Sequence, residues 1–309
     1  MSAETDTLSG GSPVLGTGPG PESAPLLPAD SIVRRRASDP RIGGAAGYAL
    51  ALQVGHPTIA AGVRDHSNYA ADAWGRFFRT ADFVLLLAYG DGPTVAKLGA
   101  DLRAQHAAIR GTDLDGNRYS ALEPSAYAWV HATLGIAIVK AHDQMGTTFT
   151  AAERERFWQE WLVLGDVLRV QRSQLPAHWA GVDAYLQQMI DDVLVDNDVV
   201  QEVQAAAVRV RGTAPVRWMP TRVWEATSRP AGPILRILGT GMLPPELRRR
   251  FGVRWTARDE RVFRAWCRAS KASGRMLPRS LRRTAPVAFR IRRREIGPFG
   301  ISNRGARLA

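Results

Sequence analysis

Three side chains at helical spacing open the chemical reading of this chain. Arg76, Arg79 and Thr80 stand at i, i+3 and i+4 within Arg76-Phe77-Phe78-Arg79-Thr80, just before the apolar run FVLLLAY. On a helix these positions share one face. Two guanidiniums and a hydroxyl grouped beside apolar residues are costly to bury without an anionic or polar partner. Six histidines accompany them, at positions 56, 66, 106, 131, 142 and 178. His106 follows Arg103 by three residues, so the two also share a helix face, while His131 sits in the apolar stretch Tyr127-Ala-Trp-Val-His-Ala-Thr-Leu134. A histidine on an apolar helix face is most often a core residue bonded to a carbonyl. Histidines on two inward-facing helices near paired arginines also fit an iron porphyrin, which takes an imidazole to its metal, cations to its carboxylates and an apolar slot.

Other chemistries lack their signatures. The chain contains no GxxxxGK[ST], GxGxxG, GxSxG or HExxH motif, and no paired ExxH motifs of a di-iron bundle. A single cysteine, Cys267, excludes an internal disulfide framework and a cysteine-rich zinc site, and suits a reducing cytoplasm. The formal charge of +12 is lopsided: from Glu246 onward 19 Lys and Arg stand against 4 Asp and Glu, whereas the preceding residues carry 22 against 25. Basicity therefore belongs to the tail, and the remainder has the composition of an ordinary globular body.

The elements that must hold these residues read as helices. Gly55-His56-Pro57 marks a helix start, with proline at the first helical position and His56 at the cap. Asp72 and Trp74 open the segment bearing the arginines. Asp91-Gly92-Pro93 is a turn leading to a helix over Thr94–Arg110, closed by Gly111. Asp113–Asn117 reads as a polar loop. Glu123-Pro124 introduces a long helix to about Met145, and Thr150-Ala151-Ala152-Glu153 is a capping box for a helix to about Leu168. A further helix is expected over Val182–Val200. No alternating strands, βαβ rhythm or internal repeat occurs. The expected fold class is all-α: a disordered leader over 1–38, a core over 39–215 enclosing the pocket, and a basic segment over 216–309, helical in part and packed on the core with a loose tail. The longest apolar run, Phe83–Tyr89, falls far short of the ~20 residues that span a membrane.

Several linked motifs then carry a resemblance. HPxxAAGVxDHSxY, WGRxxRTxDF, RxxHxxxRG, YSALxPxxxxWVHATL and AERERxWQEW occur in that order over about 39–200, and LPPELRRRFGVRWT at 243–256 with Arg261–Pro278 extends the likeness. Together they resemble the MpaB-type oxygenase family, which includes the latex clearing proteins, or rubber oxygenases. The resemblance implies an all-α haem b protein that uses dioxygen on an apolar, isoprenoid-type substrate, with C=C cleavage among the outcomes. It implies His106 as the proximal iron ligand with Arg103 beside it, and His131 as the second choice. It also implies Arg76, Arg79 and Thr80 on the distal side. For a distal base, Glu123 and Asp82 are candidates only by nearness in sequence.

One position departs from the rubber-cleaving pattern, which has lysine where this chain has Arg79. An arginine does not lose its proton in a protein, so ligation of iron by an amine is not expected here. Rival readings are a helical haem- or ligand-binding protein without turnover, and a nucleic-acid binder using Arg248-Arg249-Arg250 and Arg292-Arg293-Arg294. For the tail, contact with anionic lipid headgroups through arginines beside Trp255, Phe263 and Trp266 is the preferred alternative to nucleic acid. The expected setting is cytoplasmic, with membrane association through that tail.

Overall fold

The helix starts follow from side chains placed to take up free backbone N–H groups. The structure, a computed structural model, describes residues 26–67, 71–208, 214 and 218–276. It opens with α1 (Ile32–Ala37), a 3-10 turn (Pro40–Ala45), α2 (Ala46–Val54), α3 (Pro57–His66), α4 (Ala73–Tyr89) and α5 (Gly92–Ala107). A hairpin of β1 (Arg110–Thr112) and β2 (Arg118–Ser120) leads to α6 (Pro124–Met145) and α7 (Ala151–Val167). Then come α8 (Val182–Asp192), α9 (Asp198–Val208), α10 (Thr221–Ser228), α11 (Ala231–Met242), α12 (Pro245–Arg250) and α13 (Ala257–Met276). Asp72 caps α4 by accepting from Gly75 N at 3.1 Å, and Asp91 caps α5 from Thr94 N at 2.8 Å. Glu123 takes Ser125 N and Ala126 N at the start of α6, and Thr150 and Glu153 complete the capping box of α7. The all-α class is borne out, the hairpin being the one sheet among the described residues.

The core forms where α6 and α7 meet. Trp129, Phe157, Trp158 and Trp161 are fully buried, and each indole N–H finds a carbonyl: Trp129 on Leu52, Trp158 on Pro176, Trp161 on His131. Buried rings of this size are worth roughly 3–5 kcal/mol each against truncation to alanine. α11 packs directly on α2. A Cβ at Gly239 would come within 2.9 Å of Gly47 Cα, so α2 and α11 touch backbone to backbone.

Several boundaries differ from expectation. Residues 1–25 of the expected leader lie outside the described residues, but its last part is folded. Leu27, Ile32 and Val33 are buried, and Arg36 donates to the Thr147 carbonyl and pairs with Glu153. The arginine run thus anchors α1 to the start of α7. The α5 helix stops at Ala107, and Gly111 is no cap: it lies in β1 opposite Tyr119, where a Cβ would meet the Tyr119 hydroxyl at 2.8 Å and its ring at 2.9 Å. The single helix expected over 182–200 breaks at 193–197, where Asn197 accepts from Val200 N to start α9 and donates to the Val54 carbonyl. The loose tail lies beyond residue 276, outside the described residues.

Candidate active site at the end of α5

α5 is amphipathic in the sense that matters here. Val95, Leu98 and Gly99 are buried along one stripe, which continues through Leu102 to His106 in the last turn. Gly99 permits the close seat: a Cβ there would stand 2.8 Å from the Val167 carbonyl oxygen, so α5 lies tight against the end of α7. His106 Nδ1–H donates to the Leu102 carbonyl at 2.8 Å. The tautomer follows from that bond, leaving Nε2 unprotonated with its lone pair directed away from the helix. The ring meets Tyr127 of α6 edge-on at 5.8 Å. Burial lowers the His106 pKa, the Leu102 carbonyl opposes this, and the positive charge of Arg76 adds to the lowering. The imidazole is therefore held neutral.

The charge that acts on this histidine, Arg76, comes from α4. On that helix Trp74, Phe77 and Phe78 cluster with Trp224 of α10, Trp74 and Trp224 lying 5.1 Å apart. That aromatic side leaves the half-buried Arg76 to turn toward the end of α3, where it donates to Ser67 Oγ. Arg103, half-buried on the same helix as His106, lines a cavity of about 380 Å³ together with Leu122, Pro124, Tyr127, Arg169 and Gln171. The charge of Arg76 thus acts on the neutral His106 imidazole, while Arg103 stands three residues before it on α5 and lines the cavity beyond Tyr127.

A family model described as "ER-bound oxygenase mpaB/B'/Rubber oxygenase, catalytic domain" matches residues 34–272. The chain belongs to this family. Neither a curated protein nor a solved structure matches the chain. Membership in the mpaB/rubber oxygenase family supports an oxygenase-type activity and covers α1 through most of α13. Among the described residues no helix is long and apolar enough to cross a membrane.

Not every residue expected at this family's site is brought there. Arg79 is about half exposed and its guanidinium turns back 3.0 Å to Asp72, while Thr80 lies exposed. Arg76 alone of the three is held toward His106. His131 is a core residue. Its Nε2–H donates to the Trp161 carbonyl at 3.0 Å, its ring stacks on Trp161 at 5.1 Å, and Gly165 presses so close that a Cβ would sit 2.9 Å from Nε2. No porphyrin edge fits between those groups, which removes it as a ligand. His142 is likewise buried, bonded to the Arg36 carbonyl, and His178 is exposed beside Glu155. His56 takes the cap position of α3 as expected but its side chain makes no cap bond; His66 is exposed with its ring edge toward Tyr119. Glu123 is occupied as the α6 cap. Burial alone would raise its pKa, but the Ala126 N–H and the Ser125 groups hold it below the usual carboxylate range, unsuited to a base. Asp82 is buried inside α4.

The residues present fit a haem. Among the described residues no group of three or more His, Cys, Asp and Glu could hold a bare ion. A porphyrin supplies its own four nitrogens and asks the protein for one axial imidazole, which His106 presents with the second nitrogen fixed by a carbonyl. Tyr127 meets the His106 ring and, with Leu122 and Pro124, lines the neighbouring cavity, and Arg76 and Arg103 offer cations for carboxylates. Arg169 and Gln171 had no signal in the sequence, whereas Ser67 lies inside HPxxAAGVxDHSxY and Tyr127 opens the stretch around His131. Arg169 in particular adopts a left-handed backbone (φ 61°) at the end of α7, a position where glycine is usual and a side chain costs about 1 kcal/mol.

Proposed function

We propose that the chain is a haem b-dependent oxygenase that adds dioxygen to an apolar, isoprenoid-type substrate. The observation that carries this reading is His106, with Nδ1 spent on the Leu102 carbonyl and Nε2 left as a ligand nitrogen. When bound, the haem supplies the redox chemistry that lets dioxygen add across a carbon–carbon double bond. The chain's own residues do the rest. His106 is fixed in rotation by its bond to Leu102 and by the Tyr127 ring. Arg76, anchored on Ser67, presents fixed N–H donors in a partly water-excluded place, where they stabilise charge growing on an oxygen more strongly than in water. Leu122, Pro124 and Tyr127 give an apolar side to a cavity otherwise lined by Arg103, Arg169 and Gln171.

The exposed face of α13 bears Arg261, Val262, Trp266 and Arg268, which supports delivery of such a substrate from an anionic lipid surface. Failure to sediment with phosphatidylserine vesicles at low salt would remove that part.

Haemin titration of the purified chain tests the central claim. A Soret band is expected with the wild type and is lost in His106→Ala while far-UV circular dichroism is retained. A folded wild-type chain that gives no Soret band, or a band unaffected by His106→Ala, sinks the reading.

A further inference from the structure

The cavity lined by Tyr127, whose ring meets His106, also holds a second arginine, Arg169, to which the haem reading gives no role. Arg103 enters it from α5 and Arg169 from the residue just past α7, with Gln171 two positions on. Among the described residues neither guanidinium forms an ion pair: the acids nearby are engaged elsewhere, Asp166 with Arg172 and Glu123 with the α6 backbone. Like charges facing one cavity without counter-charge repel each other and favour an anionic guest. The backbone at Arg169 points the same way. Arg169 N–H donates to the Asp166 carbonyl and Val170 N–H to the Gly165 carbonyl, the pattern of a helix end whose left-handed residue is ordinarily glycine. An arginine in that conformation is unfavourable for the helix, and what it gains is a side chain on the cavity wall.

We propose that Arg103, Arg169 and Gln171 form a carboxylate-binding site adjoining His106. Guanidiniums bind carboxylates through paired, charge-assisted N–H donors, and the Gln171 amide adds a neutral donor. The carboxylate has two sources: a propionate of the haem, in which case the inference rests on the haem reading, or the acid group of a separate small molecule, in which case it does not.

Arg169→Gly is the informative variant, because it deletes the guanidinium and relieves the backbone together. Its melting temperature is expected to equal or exceed the wild type's, so a loss of binding cannot be laid to misfolding. For the propionate source, haemin binds Arg169→Gly at least about tenfold more weakly than wild type, the scale of one charge-assisted hydrogen bond. Haemin dimethyl ester then binds both proteins equally weakly. For the separate acid, haemin affinity is the same in both proteins, and hexanoate raises the melting temperature of the wild type but not of Arg169→Gly. Both results support the site. If Arg169→Gly changes neither haemin nor hexanoate binding, the cavity is no carboxylate site. A wild type without a Soret band refutes the haem reading alone, and the hexanoate arm still decides this one.

Discussion

His106 and His131 sit on neighbouring helices, each with one ring nitrogen bonded to a backbone carbonyl at 2.8 and 3.0 Å, yet they serve opposite ends. His131 lies mid-way along α6, where its ring is sealed between Trp161 and Gly165, and its hydrogen bond joins α6 to α7. His106 ends α5, half-buried, with its ring against Tyr127, which lines a cavity, with the charge of Arg76 acting on it, and with its Nε2 unspent. The bond to a carbonyl therefore says little about role. What separates a ligand from a strut is which nitrogen remains and whether the space beyond it is already filled.

The largest expected effect comes from trading these roles. His131→Ala leaves a void against Trp161 and removes a buried hydrogen bond, so destabilisation of roughly 3–5 kcal/mol is expected by denaturant unfolding. His106→Ala should cost under about 1.5 kcal/mol, because only part of its ring is packed. Equal losses in the two variants would erase the distinction drawn between them.

The contrast also shows what the sequence could and could not reveal. Helix starts were legible because capping is local chemistry: Asp72, Asp91, Glu123 and the Thr150–Glu153 box act within three residues of their partners. The family was legible through motifs that span most of the chain. The His131 error was unavoidable at that level, since an apolar helical neighbourhood suits a haem pocket and a packed core alike. Only the Trp161 ring, thirty residues away in the chain, tells them apart. The hairpin was missed because three-residue strands leave no period to detect, and the fold of residues 26–38 because α1 is held by Glu153 and Glu160 of α7, far along the chain. For Arg169, the backbone angle that makes it notable is set by the end of α7 and not by residue type.

A pH titration sharpens the comparison next. Burial lowers the His131 pKa from an ordinary 6.5 to about 4, so the folded chain resists a proton that the unfolded chain accepts. That contribution to stability is complete above pH 6.5 and is lost as pH falls toward 4, amounting to roughly 3 kcal/mol at most. Between pH 6.5 and 5 most carboxylates stay charged, which isolates the histidines. His131→Phe should flatten the fall in melting temperature over that window more than His106→Ala does, although His142, also buried with a lowered pKa, keeps part of it. An unchanged slope in His131→Phe would mean that the ring is hydrated in the native state.

The smallest effect is expected at Arg79, where sequence resemblance and structure diverge most. Lysine occupies this position in the rubber-cleaving pattern, which makes it look central. In the fold its guanidinium is spent on Asp72, whose other oxygen caps α4 on Gly75 N, and half of the side chain faces solvent. An exposed ion pair of this kind contributes at most about 1 kcal/mol. Arg79→Ala should therefore leave stability within that margin and haemin binding unchanged, whereas Arg76→Ala, which removes a charge that His106 feels, should shift the Soret maximum. If Arg79→Ala instead moves the Soret band as far as Arg76→Ala, Arg79 leaves Asp72 when haem binds. The helical face shared by Arg76, Arg79 and Thr80 would then act as one wall, and the partner of Asp72 would be a resting contact that the cofactor displaces.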